Sequence, residues 1–224
     1  PEVPGRWQYY GVSLPFWRSY DKEDPRREFF YYDYTGDAKR DDQSDYGFHY
    51  MVPEEGVTVV PNDTTKYMQN VATMKYTYDM ISDAYYDGRT ICIFRLSDVI
   101  LCKAEIENNL NGPAAALPYL NQIRARAGAP EYGKHNRFPA PSTKEAMNDA
   151  ILKERGYELV FEFQRPADLI RFGKYEEVVN AHLKKLGIAQ PTNVTSSLRY
   201  FPYPLNDAQL NPNLAAENPS RLPK

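Results

Sequence analysis

Residues 154–175 read ERGYELVFEFQRPADLIRFGKY, and no other stretch restricts the fold of this chain as much. Charges recur at three- and four-residue steps (Glu154, Arg155, Glu158, Glu162, Arg165, Asp168, Arg171) between large apolar residues (Tyr157, Leu159, Val160, Phe161, Leu169, Phe172). At helical spacing the apolar residues draw the segment inward, and the charges go with them. A charge taken out of water needs a partner. Alternating signs at these steps let opposite charges meet on a helix, and an arginine can hold a carboxylate through two parallel hydrogen bonds. General acid catalysis needs a carboxylic acid with a raised pKa, whereas arginines nearby lower it. The stretch is therefore expected to be a structural lattice rather than a catalytic carboxylate pair.

The sequence upstream supplies helices to hold such a lattice. FRLSDVILCKAEIENNL places Leu96, Ile100, Ala104 and Leu110 on one broad stripe, and Asn111-Gly112-Pro113 stops that helix and starts another. The second carries Pro113 in its first turn. It turns Ala116, Leu117, Leu120, Ile123 and Ala127 inward and ends at Gly128, with Pro130 beyond. Ala104 and Ala116 have the sequence separation of the small residues where the two helices of a tetratricopeptide-type repeat touch. One such pair cannot bury its faces alone, so further helical pairs are required beside it. After a polar loop (131–141), Ser142 and Glu145 make a capping box for a helix predicted to run to about residue 163. Pro166 breaks it, a short turn follows at 167–171, and a helix over 175–186 ends at Gly187. From 190 onward the proline-rich tail is expected to lie extended over the surface, anchored by Tyr200, Phe201 and Leu214.

Residues 1 to about 90 carry no sustained helical period and are rich in Pro, Gly, Asp and Tyr. They read as long ordered loops with short strands, REFFYYDY and GVTVV being the strand candidates. The expected organisation is thus 1–92 as an aromatic-rich loop and strand region, 93–189 as a helical scaffold, and 190–224 as the tail. Both tryptophans of the chain fall in GRWQYYGVSLPFWRSY, which brings Trp7, Tyr9, Tyr10, Phe16, Trp17 and Tyr20 together with Arg6, Gln8 and Arg18. Aromatic faces stack on the apolar faces of sugars while polar groups between them bond the hydroxyls, so these six rings form the candidate ligand platform. The competing reading is that individual rings seal loops against the scaffold. FFYYDY, at 29–34, is a second candidate, half of which strand alternation would bury.

Composition excludes several classes. With 42% hydrophobic residues, 25% charged and a net charge of -3, the chain can bury a core and has no electrostatic reason to bind nucleic acid. Nothing approaches the roughly 18 to 20 apolar residues of a membrane helix, and PEVPGRWQYYGV is not a signal peptide. Cys92 and Cys102 fit neither a metal nor a redox motif and are expected to be buried thiols. His49, His135 and His182 are scattered, which supports neither a metal site nor a catalytic dyad. The aspartates of DYTGDAKRDDQSDY lack calcium-loop spacing. No catalytic residue, metal ligand or cofactor is expected; a calcium ion is compatible with the composition but has no motif.

Three blocks, IFRLSDVILCKAEIENNLNGPAAALPYLNQIRARAG, AILKERGYELVFEFQRPADLIRFG and FPYPLNDAQLNPNLAAENP, resemble successive signatures of the SusD/RagB family of outer-membrane nutrient-binding lipoproteins, in that family's order and spacing. SYDKEDPRREFFYY is similar to the Asp-Pro-Arg segment that precedes them. The resemblance implies a mainly α fold of tetratricopeptide-like helical pairs with long ordered loops and a few short strands. It implies a cell-surface, lipid-anchored protein of the outer membrane, not an enzyme, that captures oligosaccharides for a SusC-like TonB-dependent transporter; a peptide-binding member or a protein-interaction scaffold is the alternative. Glu154, Arg155, Glu158, Arg165 and Asp168 match the family's Glu-Arg, Glu and Arg-x-x-Asp pattern, and Arg95, Asp98 and Glu105 match its first helix, positions that serve the fold. Family members are longer, so the sequence resembles their C-terminal portion, with the lipid anchor lying outside it.

Overall fold

The computed structural model describes residues 12–31, 33–39, 45–51, 66–67, 70–73, 75, 92–185, 203–211 and 213. The protein is mainly α-helical and divides into two compact units, Pro1–Glu158 and Leu159–Lys224.

The first unit begins with β1 (Val12–Ser13) and α1 (Leu14–Arg18), then a 3-10 helix (Pro25–Phe29). Both short helices start by the same local rule, a polar cap followed by proline. The Ser13 hydroxyl accepts the N–H of Phe16 at 3.4 Å, and the Asp24 carboxylate accepts that of Arg26 at 3.0 Å. Six short strands then make two three-stranded sheets among the described residues. β2 (Phe30–Tyr31) and β1 flank β6 (Asn70–Thr73), both antiparallel, with Val12 opposite Val71 and Phe30 opposite Thr73. β3 (Asp33–Lys39) pairs antiparallel with β4 (Asp45–Met51), Gly36 opposite Phe48, and β4 pairs in parallel with β5 (Lys66–Tyr67). The segment expected to be strand over 27–34 is thus 3-10 helix in its first part, because Asp24-Pro25 nucleates a turn. GVTVV lies outside the described residues.

Three helices carry the core. α2 (Leu96–Asn111) and α3 (Pro113–Ala127) are joined by the single residue Gly112, and α4 (Lys144–Glu158) packs against both. Leu101, Ala104, Ala116, Leu120, Ile123, Met147 and Ile151 are at most 1% exposed, so the two small residues singled out in the sequence do lie inside the helix contact. Gly128 ends α3 at φ 71°, where a side chain would be strained and a Cβ would also come within 3.2 Å of Pro25 Cγ. That close approach brings the Asp24-Pro25-Arg26 turn onto the end of α3.

The buried face of α2 differs from the expected stripe. Ser97, Leu101, Ala104 and Asn108 face inward, whereas Leu96 and Leu110 are 71% and 74% exposed. Asn108 is tolerated inside because its amide donates to the Lys144 carbonyl at 2.8 Å and Asn148 Oδ1 at 2.7 Å. The cap of α4 is Thr143 rather than Ser142: its hydroxyl accepts the Ala146 N–H at 3.1 Å. α4 also stops at Glu158, short of the predicted residue 163. The Glu158 carbonyl is taken by Lys75 Nζ at 2.6 Å and Arg95 Nη2 at 2.5 Å, so it needs no helical N–H, and Phe161 and Phe163 turn to positive φ.

In the second unit, α5 (Arg165–Arg171) carries Pro166 in its first turn, so this proline opens a helix where the sequence suggested a break. α6 (Tyr175–Lys185) follows. The tail is not wholly extended: α7 (Leu205–Leu210) forms after Pro204, with Asp207 in its first turn. Tyr200, Phe201 and Leu214 lie outside the described residues. Within the first unit the turn around Asp24 pairs with charges on α4 through Arg26.

Candidate functional site

The last turns of α4 are buried on every side, Glu154 through Glu158 all included. A helix end of that kind must draw partners for its charges from several other elements. Glu154 is 1% exposed and binds Arg26 Nη1 at 2.6 Å through Oε1 and Arg124 Nη1 at 2.7 Å through Oε2. Glu158 is 3% exposed and meets three arginines: Arg95 at 2.6 Å, Arg126 at 2.6 and 2.7 Å, and Arg26 at 3.1 Å. Arg26 is itself held by both oxygens of Asp24, at 2.9 and 2.7 Å. Arg155 bridges to Asp98 on α2 at 2.8 Å and donates to Cys102 Sγ at 3.5 Å. Asp168 pairs with Arg171 at 3.0 Å; Arg165 is half-buried at the start of α5, and Glu105 is half-buried on α2.

Paired charges thus surround the end of α4, and their wiring runs between elements rather than along one helix. Glu154 and Glu158 pair with arginines brought from a loop (Arg26), from the start of α2 (Arg95) and from α3 (Arg124, Arg126). In the sequence the Asp24-Pro25-Arg26 turn stands out only through the family resemblance. Arg124 and Arg126 belong to IRARAG at the stop of α3, where two arginines beside an apolar helix end are the sequence signal for them.

Burial pushes the Glu158 carboxyl up, but the hydrogen bond and charge of Arg95 and the charges of Arg126 and Arg26 outweigh it, leaving it at about 2 against an ordinary 4.5. A carboxyl lowered in the folded state stabilises the fold above its unfolded value and loses that contribution as pH falls. Stability is expected to drop between pH 4.5 and about 2, with about 3 kcal/mol from this group. A urea titration across that window checks it: a midpoint independent of pH would show that Glu158 gains nothing from its arginines.

The aromatic candidates separate. Trp17 and Tyr20 are core, 5% and 2% exposed. Tyr20 stacks on Tyr157 with ring centres 4.1 Å apart, meets Phe30 and Phe16 edge-on, and donates its hydroxyl to the Tyr157 carbonyl at 3.0 Å. The Tyr157 hydroxyl donates in turn to the Ser19 carbonyl. Burial raises both phenols, Tyr157 to about 12. Tyr20 faces α4 through Tyr157, and Trp17 lies under the Arg27 guanidinium of the 3-10 helix. Phe16 is half-buried. Trp7, Tyr9, Tyr10 and the ring positions of 31–34 lie outside what the structure describes.

A cavity of about 400 Å³ opens beside this cluster, walled by the Ser19–Asp24 turn, α3, α4 and the loop carrying Arg137 and Phe138. Among the described residues no group of three or more His, Cys, Asp or Glu could hold a metal, and no helix is long and apolar enough to cross a membrane. Cys92 and Cys102 are half-buried rather than buried.

A comparison with protein families matches residues 10–220 to the SusD family. Among curated proteins the chain is similar to SusD-like protein P25 of Formosa agariphila, 38% identical over 54% of this chain and 22% of that one. It is also similar to the starch-binding protein SusD of Bacteroides thetaiotaomicron, 27% identical over 60% of this chain and 22% of that one. A crystal structure of a SusD superfamily protein from Bacteroides vulgatus aligns with 54% of this chain and 25% of its own, at 28% identity and a TM-score of 0.41, too low to add weight. The chain thus spans under a quarter of the length of the curated relatives named here. A match that runs through the Asp24-Pro25-Arg26 turn, the helical hairpin and the charged end of α4 alike places this chain in the SusD family.

Proposed function

We propose that this protein is a non-catalytic nutrient-binding protein of the cell surface, lipid-anchored at the outer membrane, which captures an oligosaccharide and delivers it to a SusC-like TonB-dependent transporter. The match to the SusD family over residues 10–220 carries this reading, and the starch-binding relative supports a glycan as ligand. The pairing of Glu154 and Glu158 supports the absence of catalysis. Both carboxylates accept from the same Arg26 Nη1 and are enclosed by further guanidinium groups, whereas glycoside hydrolysis needs two carboxyl groups facing each other across an open cleft. With Trp17 and Tyr20 in the core, the platform falls to Trp7, Tyr9, Tyr10 and the half-buried Phe16.

Calorimetric titration of the protein with a panel of neutral oligosaccharides and mixed peptides tests this. The expected result is saturable glycan binding weakened about tenfold or more by Trp7→Ala, since an aromatic anchor in a binding site is commonly worth more than 1 kcal/mol. Peptide binding with no response to any glycan would overturn it, as would turnover of an oligosaccharide.

A further inference from the structure

The cavity beside Tyr20 and Tyr157 has an excess of unspent positive charge. Its two acids are already committed. Asp24 gives both oxygens to Arg26, and Asp21 Oδ1 accepts the Glu23 N–H at 2.9 Å and faces Arg137 Nη2 at 3.2 Å. Its phenols are committed as well, donating to the Tyr157 and Ser19 carbonyls. Two of its cations are not. Lys22 and Lys153 line the cavity from the loop and from α4; among the described residues neither has a carboxylate at ion-pair distance, and Lys153 Nζ stands 5.7 Å from the Tyr157 ring centre. Arg124, at the inner wall, is 2% exposed and uses Nε on the Pro130 carbonyl and Nη1 on Glu154, while its Nη2 is buried with no hydrogen-bond partner. The Phe138 ring covers its guanidinium at 4.6 Å.

A polar cavity that holds two free ammonium groups, a buried guanidinium with an uncommitted Nη2, and acids that are all neutralised attracts an anion, because ammonium and guanidinium groups gain most from an oxyanion that accepts several of their hydrogens. We propose that this cavity is a binding site for a single oxyanion, a carboxylate or a sulfate ester, with Lys22 and Lys153 as its contacts and Arg124 as the fixed charge behind them. Its volume of about 400 Å³ accommodates the anionic group together with one sugar ring. That the oxyanion arrives on a sugar rests on the reading given above; that the cavity takes an oxyanion does not.

Calorimetry of the protein with sodium sulfate, glucuronate, glucose 6-sulfate and glucose separates these claims. Lys22→Ala combined with Lys153→Ala removes the two contacts at exposed positions and leaves the Glu154 and Glu158 pairs intact, while Arg124 is left alone because its loss would break the pairing of Glu154. The expected result is saturable binding of at least one charged sugar, none of glucose, a tenfold or greater loss in the double variant at unchanged melting temperature, and rescue by the corresponding double arginine variant. Glucuronate alone would identify a carboxylate site and glucose 6-sulfate alone a sulfate ester site. Sulfate binding with no charged sugar would support the oxyanion site and overturn the sugar as its carrier. Equal binding of glucose, no binding of any anion, or full affinity in the double variant would overturn the site itself, while neutral oligosaccharides that still bind would leave the nutrient-capture reading standing.

Discussion

Glu158→Ala is expected to lower the stability of this protein by about 3 to 5 kcal/mol, the usual consequence of removing one partner from a buried ion pair. The substitution leaves Arg26, Arg95 and Arg126 converging on an empty position, and the first of these is 9% exposed at its side chain. Arg26 retains Asp24 and Glu154, so its loss is partial; Arg95 keeps its bonds to Ser97 Oγ at 2.7 Å and to the Glu158 carbonyl. The loss comes from uncompensated charge rather than from the removed contacts. Truncating the outermost member, Arg126, whose side chain is 58% exposed, is a useful control because a solvated partner is worth about 1 kcal/mol or less. Chemical denaturation of both variants decides the matter. If Glu158→Ala melts with the wild type, the end of α4 is a solvated face and the network has no energetic role.

Trp17→Ala is expected to cost a comparable amount, about 3 to 5 kcal/mol, as deletion of a large buried ring does when the surroundings collapse only in part. The indole is 5% exposed, the Arg27 guanidinium lies 4.1 Å over its face, and its N–H points at the Arg27 carbonyl at 3.4 Å. It closes α1 onto the 3-10 helix that delivers Arg26 to Glu154 and Glu158, so the two losses act on one assembly and are not expected to add. Ligand affinity of the fraction that remains folded should be unchanged. Loss of ligand affinity with an intact melting temperature would put Trp17 back among the platform rings.

Local chemistry made part of this molecule readable in advance. Gly112 between two helical patterns, Gly128 at a left-handed stop, and proline in the first turn of α3 depend only on backbone sterics and on the hydrogen bonds that a helix end lacks, and these are properties of a few neighbouring residues. The same holds for the demand that Glu154 and Glu158 be paired, since their apolar neighbours carry them inward. What could not be read was who pairs with them. Arg26 is 128 residues from Glu154 in sequence and Arg124 is 30, whereas a linear pattern ranks only partners three or four residues away, such as Arg155 for Glu158.

Tertiary packing likewise decided the two surfaces that matter for binding. An aromatic segment with interleaved cations looks the same whether its rings meet a ligand or a scaffold, and it was the stacking of Tyr20 on Tyr157 that took Tyr20 out of the platform. The cavity beside them has no sequence signature at all: Lys22, Arg124 and Lys153 come from a loop and two helices. Sequence alone determined the helical scaffold and the need for a buried, charge-paired lattice, since both follow from local sterics and from the cost of an unpaired charge. The choice of partners, the exposure of each ring and the existence of the cavity were decided by the tertiary structure, because each depends on residues distant in sequence that only folding brings within a few ångströms.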